Sequence, residues 1–336
     1  MSAEPIKTLF HPFETGALPA PAAGTDFLFF GAQPEFRLPD GFAAALACVQ
    51  GFRPTFLSLQ KRGLPVTPRA EGDAYDGALV LCDRHRGRNE LWIADATERV
   101  RRGGLIVVAG GKLEGIDSLR KRVGTLLPIE DSLSKHHGVA FWFRCGAEAE
   151  STGVQFRTAN APVSIEDRYR AAPGMFSHDR VDAGSRLLAD HLPAEIKGAV
   201  ADFGAGWGYL SGSLLERFPA VASIDLYEAD FDSIEVARSN LTDARAGFFW
   251  HDLMSEDVGR RYDWIVMNPP FHQGRAAEPG IGEKMIQAAA AALKKGGRLV
   301  TVANRQLPYE NVLGTVFADV REICRDDSFK VLLARR

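Results

Sequence analysis

The chain writes one unit twice, and this repetition limits what it can fold into more than any other feature. Tyr75-Asp76 opens the block YDGALVLCDRHRG, which closes at Gly87, and Tyr262-Asp263 opens YDWIVMNPPFHQG, which closes at Gly274. RRGGLIVVAGG (101–111) is followed in the second copy by its counterpart KKGGRLVTVAN (294–304), and DFLFFGA (26–32) by AVADFGA (199–205). Blocks that recur in one order with the same flanks mark a tandem duplication. LIVVAG, AVADF, WIVMN and RLVTVA are short continuous apolar runs, and they alternate with helical stretches such as GEKMIQAAAAALKK. That alternation predicts α/β units whose parallel sheets are covered on both faces. Each basic pair with its Gly-Gly reads as a helix end and stop before a buried strand. TGVQFRTANAPVSIEDRYRAAPG reads as a strand followed by an Ala/Pro-rich connector, which sets the boundary near 160: one domain over 1–160 and a second over 161–336.

A length of 336 residues with 46% hydrophobic side chains suffices for two ordinary cores. No apolar run reaches the roughly 20 residues that span a bilayer, and MSAEPIKTLFHPFETG has no secretory pattern, so a cytoplasmic protein is expected. Cys48, Cys82, Cys145 and Cys324 form no CxxC pair, and the eight histidines no HExxH, so neither a disulfide framework nor a metal site is expected. The net charge of −3 excludes nucleic-acid binding by bulk positive charge. It leaves room for local patches at Arg84, Arg86 and Arg88, at Arg99, Arg101 and Arg102, and at Arg120, Lys121 and Arg122, where solvated faces are the alternative.

The copies differ where chemistry would sit. Asp202-Phe203-Gly204-Ala205-Gly206-Trp207-Gly208 follows an apolar strand and precedes a helix beginning near Tyr209, whereas the first copy has only GAQPE. The GxGxG spacing behind an acidic residue is tighter than a dinucleotide fingerprint and resembles motif I of class I methyltransferases. Gly204 and Gly206 would admit the methionine part of S-adenosylmethionine without a Cβ in the way. Glu228 ends VASIDLYE, where a carboxylate accepts both ribose hydroxyls; Asp225 is the second candidate, with a strand-surface role as its alternative. Asp252 follows a third strand and is either the acceptor for the adenine amino group or a helix cap.

Asn268-Pro269-Pro270-Phe271 ends the strand WIVM, and D-x-I-x-x-N-P-P-F resembles the signature of methyltransferases acting on planar nitrogens. The first copy has Leu81-Cys82-Asp83-Arg84 in its place, so that copy is read as degenerate. An exocyclic amine is a poor nucleophile because its lone pair is delocalised. If the Asn268 side-chain oxygen and the Pro269 carbonyl each accept one N–H, the lone pair is turned toward the methyl sulfonium, with Pro270 and Phe271 against the base. No general base is required.

Beyond these motifs, Pro173-Gly174-Met175-Phe176-Ser177, Asp182-x-Gly184-Ser185, VANRQLPYENVL (302–313) and Phe329-Lys330-Val331 are similar to blocks of the bacterial small-subunit (16S) ribosomal RNA guanine-N2 methyltransferase family. The resemblance implies two tandem Rossmann-like class I methyltransferase domains with mostly parallel seven-stranded sheets, the N-terminal copy degenerate. It implies S-adenosylmethionine as cofactor, held by Phe176, Ser177, Asp182, Ser185, Asp202, Gly204, Gly206, Glu228, Asp252 and Asn268. It implies Asn268, Pro269 and Phe271 as the amine clamp, and Arg305 and Lys330 as RNA or loop contacts, with a solvated surface as the alternative. The expected partner is ribosomal RNA or the small subunit, bound by a monomer, with the first half docking RNA or stabilising the catalytic half. Adenine-N6 methylation of nucleic acid and glutamine-N5 methylation of a protein use a similar clamp, although the latter generally has Tyr where this chain has Phe271. A non-catalytic RNA-binding assembly factor is the reading from a different class.

Overall fold

The computed structural model describes residues 4–270 and 279–336. The chain forms two compact units, Met1–Pro162 with Ala172–Gly174, and Val163–Ala171 with Met175–Arg336. The first contains β1 (Asp26–Phe30), β2 (Ala45–Val49), β3 (Val66–Thr67), β4 (Tyr75–Leu81), β5 (Val100–Gly111), β6 (Asp131–Lys135) and β7 (Gly138–Arg144). The second opens with the hairpin β8 (Val163–Ile165) and β9 (Tyr169–Ala171). It continues with β10 (Gly198–Phe203), β11 (Val221–Glu228), β12 (Ala246–Trp250), β13 (Tyr262–Met267), β14 (Leu293–Asn304), β15 (Asp319–Arg325) and β16 (Phe329–Arg335).

The two sheets have one topology. Strand order is β3-β2-β1-β4-β5-β7-β6 in the first and β12-β11-β10-β13-β14-β16-β15 in the second. In each, the first five strands of that order pair in parallel, and the penultimate one, β7 or β16, runs antiparallel to both its neighbours. Successive strand residues point to opposite faces, so full burial of consecutive residues means that both faces are covered. Phe29 and Phe30, Val107 and Val108, Val266 and Met267, and Leu299 and Val300 meet that condition.

Two local readings are corrected. The basic pairs and glycines of RRGG and KKGG do not end helices; they form the entry of the long strands β5 and β14. Pairing there skips residues, from Tyr75 with Val100 to Gly77 with Leu105, and from Tyr262 with Leu293 to Trp264 with Arg298. Gly103 and Gly296 take left-handed φ of 79° and 77° in these irregular stretches, a conformation that Gly adopts without steric cost. TGVQFRT belongs to a helix, Ala147–Ala159, not a strand. Thr152 donates back to the Glu148 carbonyl, and Gly153 lies so close to Thr97 that a Cβ would stand 2.3 Å from its Oγ1. Close approach to the helix Arg86–Arg99, rather than local strand preference, decides that segment. His136 and His137 form the left-handed turn between β6 and β7.

Candidate active site

The order of the second sheet reverses between β10 and β13, and in open α/β sheets the carboxyl ends of the strands at such a switch point form the ligand crevice. Asp202 lies on β10 and Asn268 directly follows β13, while Glu228 ends β11, the other neighbour of β10. The sheet thus brings three of the expected residues to one end.

The loop after β10 holds Gly204, Gly206 and Gly208 at φ of 75°, 54° and 93°. Among the described residues, a Cβ on Gly206 would enter open space, and one on Gly204 would meet only the Met285 methyl at 3.4 Å. Beneath the loop, Asp202 is fully buried. Its Oδ2 accepts from the Ser211 hydroxyl at 2.7 Å, while Oδ1 has no partner among the described residues. Burial pushes its carboxyl up to about 7; the Ser211 hydrogen bond opposes this and the charge of Glu228 adds to it. Glu228 braces the loop, one oxygen accepting from Gly206 N at 2.8 Å and the other from Asp230 N at 2.9 Å. Burial raises its pKa too, against these amide hydrogen bonds.

These features fit S-adenosylmethionine. A glycine loop leaves backbone accessible beside an orphaned buried carboxylate oxygen, which a cationic ligand satisfies. Glu228 retains unused lone pairs for hydroxyl donors, since each carboxylate oxygen can accept twice.

At the end of β13, Pro269 is buried and Pro270 exposed. The half-buried Asn268 donates from Nδ2 to Asp182 Oδ2 at 2.9 Å and to Ser185 Oγ at 2.8 Å, leaving Oδ1 buried without a partner among the described residues. Asp182 and Ser185, expected at the cofactor, therefore meet Asn268. Phe271 lies outside the described residues.

Other expected residues divide. Phe176 is 61% exposed, and its carbonyl accepts from the indole of Trp207, which ties the 175–182 segment to the glycine loop. Ser177 next to it has a left-handed φ of 49°. The carboxylate of Asp252 accepts from Met254 N at 2.9 Å and from the Ser255 hydroxyl, so it closes its own turn. Lys330 is no open phosphate contact, because its side chain is buried and its ammonium is held by both Glu310 oxygens at 2.6 and 2.7 Å. Arg305 is exposed just after β14. Asp225 sits within β11, bound by Arg260 and Tyr262, away from the strand end.

Sequence reading missed Ser211 and Trp207. The signal for Ser211 was a small polar residue on the buried face of the helix Tyr209–Arg217. A cavity of about 820 Å³ opens at the amino ends of the same strands, among Lys197, Asp263, Lys294 and Arg298. Lys294 is paired there with Asp263 and Arg298 with Glu195, and the orphaned acceptors lie at the other end of the sheet.

Register aligns the first unit residue by residue. Phe30 stands beside Val80 and Val49 as Phe203 stands beside Met267 and Tyr227. Hence Phe29, Gln50 and Leu81 occupy the places of Asp202, Glu228 and Asn268. Gly31 corresponds to Gly204, but a Cβ there would lie 2.4 Å from the Leu81 carbonyl and 2.8 Å from the Trp92 ring. The space open in the second unit is filled in the first.

Comparison with known proteins agrees with this fold. The model of the methyltransferase small domain matches residues 167–333. Ribosomal RNA small subunit methyltransferase C of Pseudomonas paraeruginosa is 32% identical over 275 residues, 80% of this chain and 81% of that protein. The protein of the same name from Chromohalobacter salexigens is 32% identical over 273 residues, 77% of this chain and 78% of its own. In fold, the chain is similar to the T. thermophilus 16S rRNA N2 G1207 methyltransferase solved with AdoMet and guanosine. The TM-score is 0.76 at 24% identity, over 97% of this chain and 91% of that one. With a duplicated α/β architecture, one copy keeping the polar strand ends, and this identity over most of its length, the chain belongs to the ribosomal RNA small subunit methyltransferase C family of S-adenosylmethionine-dependent methyltransferases.

Proposed function

We propose that this protein methylates the exocyclic N2 amine of a guanine in small-subunit ribosomal RNA. The observation that carries the reading is the buried Asn268 Oδ1 at the end of β13, an acceptor without a partner among the described residues and with both amide protons already committed. The relatives, methyltransferases of small-subunit ribosomal RNA, support the RNA and the subunit, and the solved T. thermophilus N2 methyltransferase supports the guanine N2.

S-adenosylmethionine, when bound, supplies the methyl group on a sulfonium. Gly204 and Gly206 would pass its methionine part, Asp202 Oδ1 would accept from its ammonium, and Glu228 would take the ribose hydroxyls. Phe176 and Ser177 would flank the cofactor, and Asp252, already capping its turn, would serve the adenine side through its remaining lone pairs. Asn268 Oδ1 and the Pro269 carbonyl would accept the two amine N–H bonds, making the lone pair available without a general base. Pro270 and Phe271 would hold the base. Arg305 would contact RNA at the rim.

The chain acts as a monomer in the cytoplasm on this reading; among the described residues no helix is long and apolar enough to cross a membrane. The first unit would contact RNA. Many of its cluster cations are already paired within it, Arg86 and Arg122 with the buried Glu90, Arg99 with Asp73, Arg101 with Asp76, Arg102 with Glu150 and Arg120 with Asp117. The exposed Arg84 and Lys121 are the better phosphate contacts. Nucleoside analysis of RNA methylated by wild type and by Asn268→Ala tests the proposal.

A further inference from the structure

We propose that Asp182 and Ser185 are positioning residues that set the orientation of the Asn268 amide, rather than cofactor ligands. The inference rests on the reading of Asn268 as an acceptor for the target amine, and it deepens that reading.

A primary amide presents an oxygen and an NH2 of nearly equal shape, and only its surroundings decide which way round it sits. A carboxylate accepts and does not donate, so the Asn268 atom 2.9 Å from Asp182 Oδ2 must be the nitrogen. Ser185 Oγ takes the second proton at 2.8 Å. Turning the amide over would set its oxygen against the carboxylate. The oxygen is thereby held in the buried position where it has no partner among the described residues. An unpaired buried acceptor is unfavourable, and without Asp182 the amide could turn to relieve it. The NH2 would then face the amine, donor against donor.

Asp182 is itself fixed. It is the N-cap of the helix Ala183–Asp190, its Oδ2 accepting from Ser185 N at 2.8 Å. Gly184 lets this cap lie close, since a Cβ there would stand 3.1 Å from Asp182 Oδ2 and 3.2 Å from the Phe329 ring at the start of β16. The three features of Asp182-x-Gly184-Ser185 thus act on one amide: an acceptor locked as a cap, a residue without a side chain, and a second acceptor one turn on.

The variants separate this role from helix capping. Asp182→Ser keeps a capping oxygen but is too short to reach Asn268. Asp182→Asn keeps an oxygen that can serve both bonds. Single-turnover methyl transfer to unmethylated small subunits, S-adenosylmethionine affinity by calorimetry and Tm are measured for both, beside Ser185→Ala and Asn268→Ala. The expected result is a rate loss of about tenfold or more for Asp182→Ser, with cofactor Kd within about twofold of wild type. Asp182→Asn recovers most of that loss, and Ser185→Ala, which leaves the cap intact, shows a smaller loss of the same kind. A parallel loss of cofactor affinity in Asp182→Ser and Ser185→Ala would make both residues cofactor ligands and overturn the inference. An inactive Asn268→Ala beside fully active Asp182→Ser and Ser185→Ala would overturn it while leaving the clamp standing. A fully active Asn268→Ala would remove the clamp and this inference together.

Discussion

Gln50 holds in the first sheet the place that Glu228 holds in the second, down to the hydrogen bond each accepts from the backbone N–H two residues on, Phe52 N at 2.9 Å for Gln50 and Asp230 N at 2.9 Å for Glu228. The other arm differs in sense. Gln50 donates to the Ala32 carbonyl, whereas Glu228 accepts from Gly206 N. Replacing one carboxylate oxygen by an NH2 keeps the strand end braced but gives up a group that could accept from a ribose hydroxyl.

Glu228→Gln is therefore expected to fold with a Tm close to wild type and to bind S-adenosylmethionine about 10- to 100-fold more weakly, the scale of lost hydrogen bonds to a charged group. Calorimetric titration beside thermal unfolding checks both halves of that expectation.

Cofactor binding should saturate at one molecule per chain despite the duplication. Phe29, Gln50 and Leu81 replace the three polar strand ends, and Trp92 fills the space beside Gly31. A titration of intact protein reads the stoichiometry, and a value of two would contradict the account of the first unit.

Asp202 links stability to pH. Its folded pKa of about 7 lies above the ordinary value of 3.8, so between these the folded state holds a proton that the unfolded chain has released. The wild type should lose stability from this group as pH rises from about 4 to about 7, by at most about 4 kcal/mol. Asp202→Asn removes that slope, so its stability relative to wild type should grow with pH across the window and level off above it. Urea unfolding of both proteins at several pH values measures the difference.

Gly206→Ala places a Cβ, at a φ of 54°, where no atom of the described residues lies within 4 Å. It should cost about 1–2 kcal/mol of stability through backbone strain and disproportionately weaken cofactor binding, because the added methyl enters the cradle.

Joint replacement of Arg84 and Lys121 by Ala should raise KM for RNA several-fold at low salt and leave kcat unchanged, since phosphate contacts add affinity that salt screens. Measuring KM at two salt concentrations checks it.

The duplication and both parallel sheets were legible because apolar runs buried on both faces leave a continuous signature, and β4 and β13 keep it in register from Tyr75 and Tyr262. The glycine loop, Glu228 and Asn268 were legible because each sits directly after or at the end of such a run. Asp182 and Ser185 were legible as site residues but their hydrogen bonds to Asn268 were not, because no local pattern shows that a cap on one helix meets a side chain more than 80 residues away. The helix Ala147–Ala159 was hidden for a similar reason, its Gly153 serving a contact with Thr97 that only the tertiary fold reveals. Lys330 read as a surface cation because burial of its stem and its pairing with Glu310 depend on strand β16 lying between two neighbours.

The most direct test of the central claim is transfer of tritiated methyl from S-adenosylmethionine to unmethylated small ribosomal subunits and to their extracted RNA, followed by nucleoside analysis, with Asn268→Ala alongside. The account predicts N2-methylguanosine from the wild type and none above background from the variant. Label in another nucleoside, or equal N2-methylguanosine from Asn268→Ala, would contradict it.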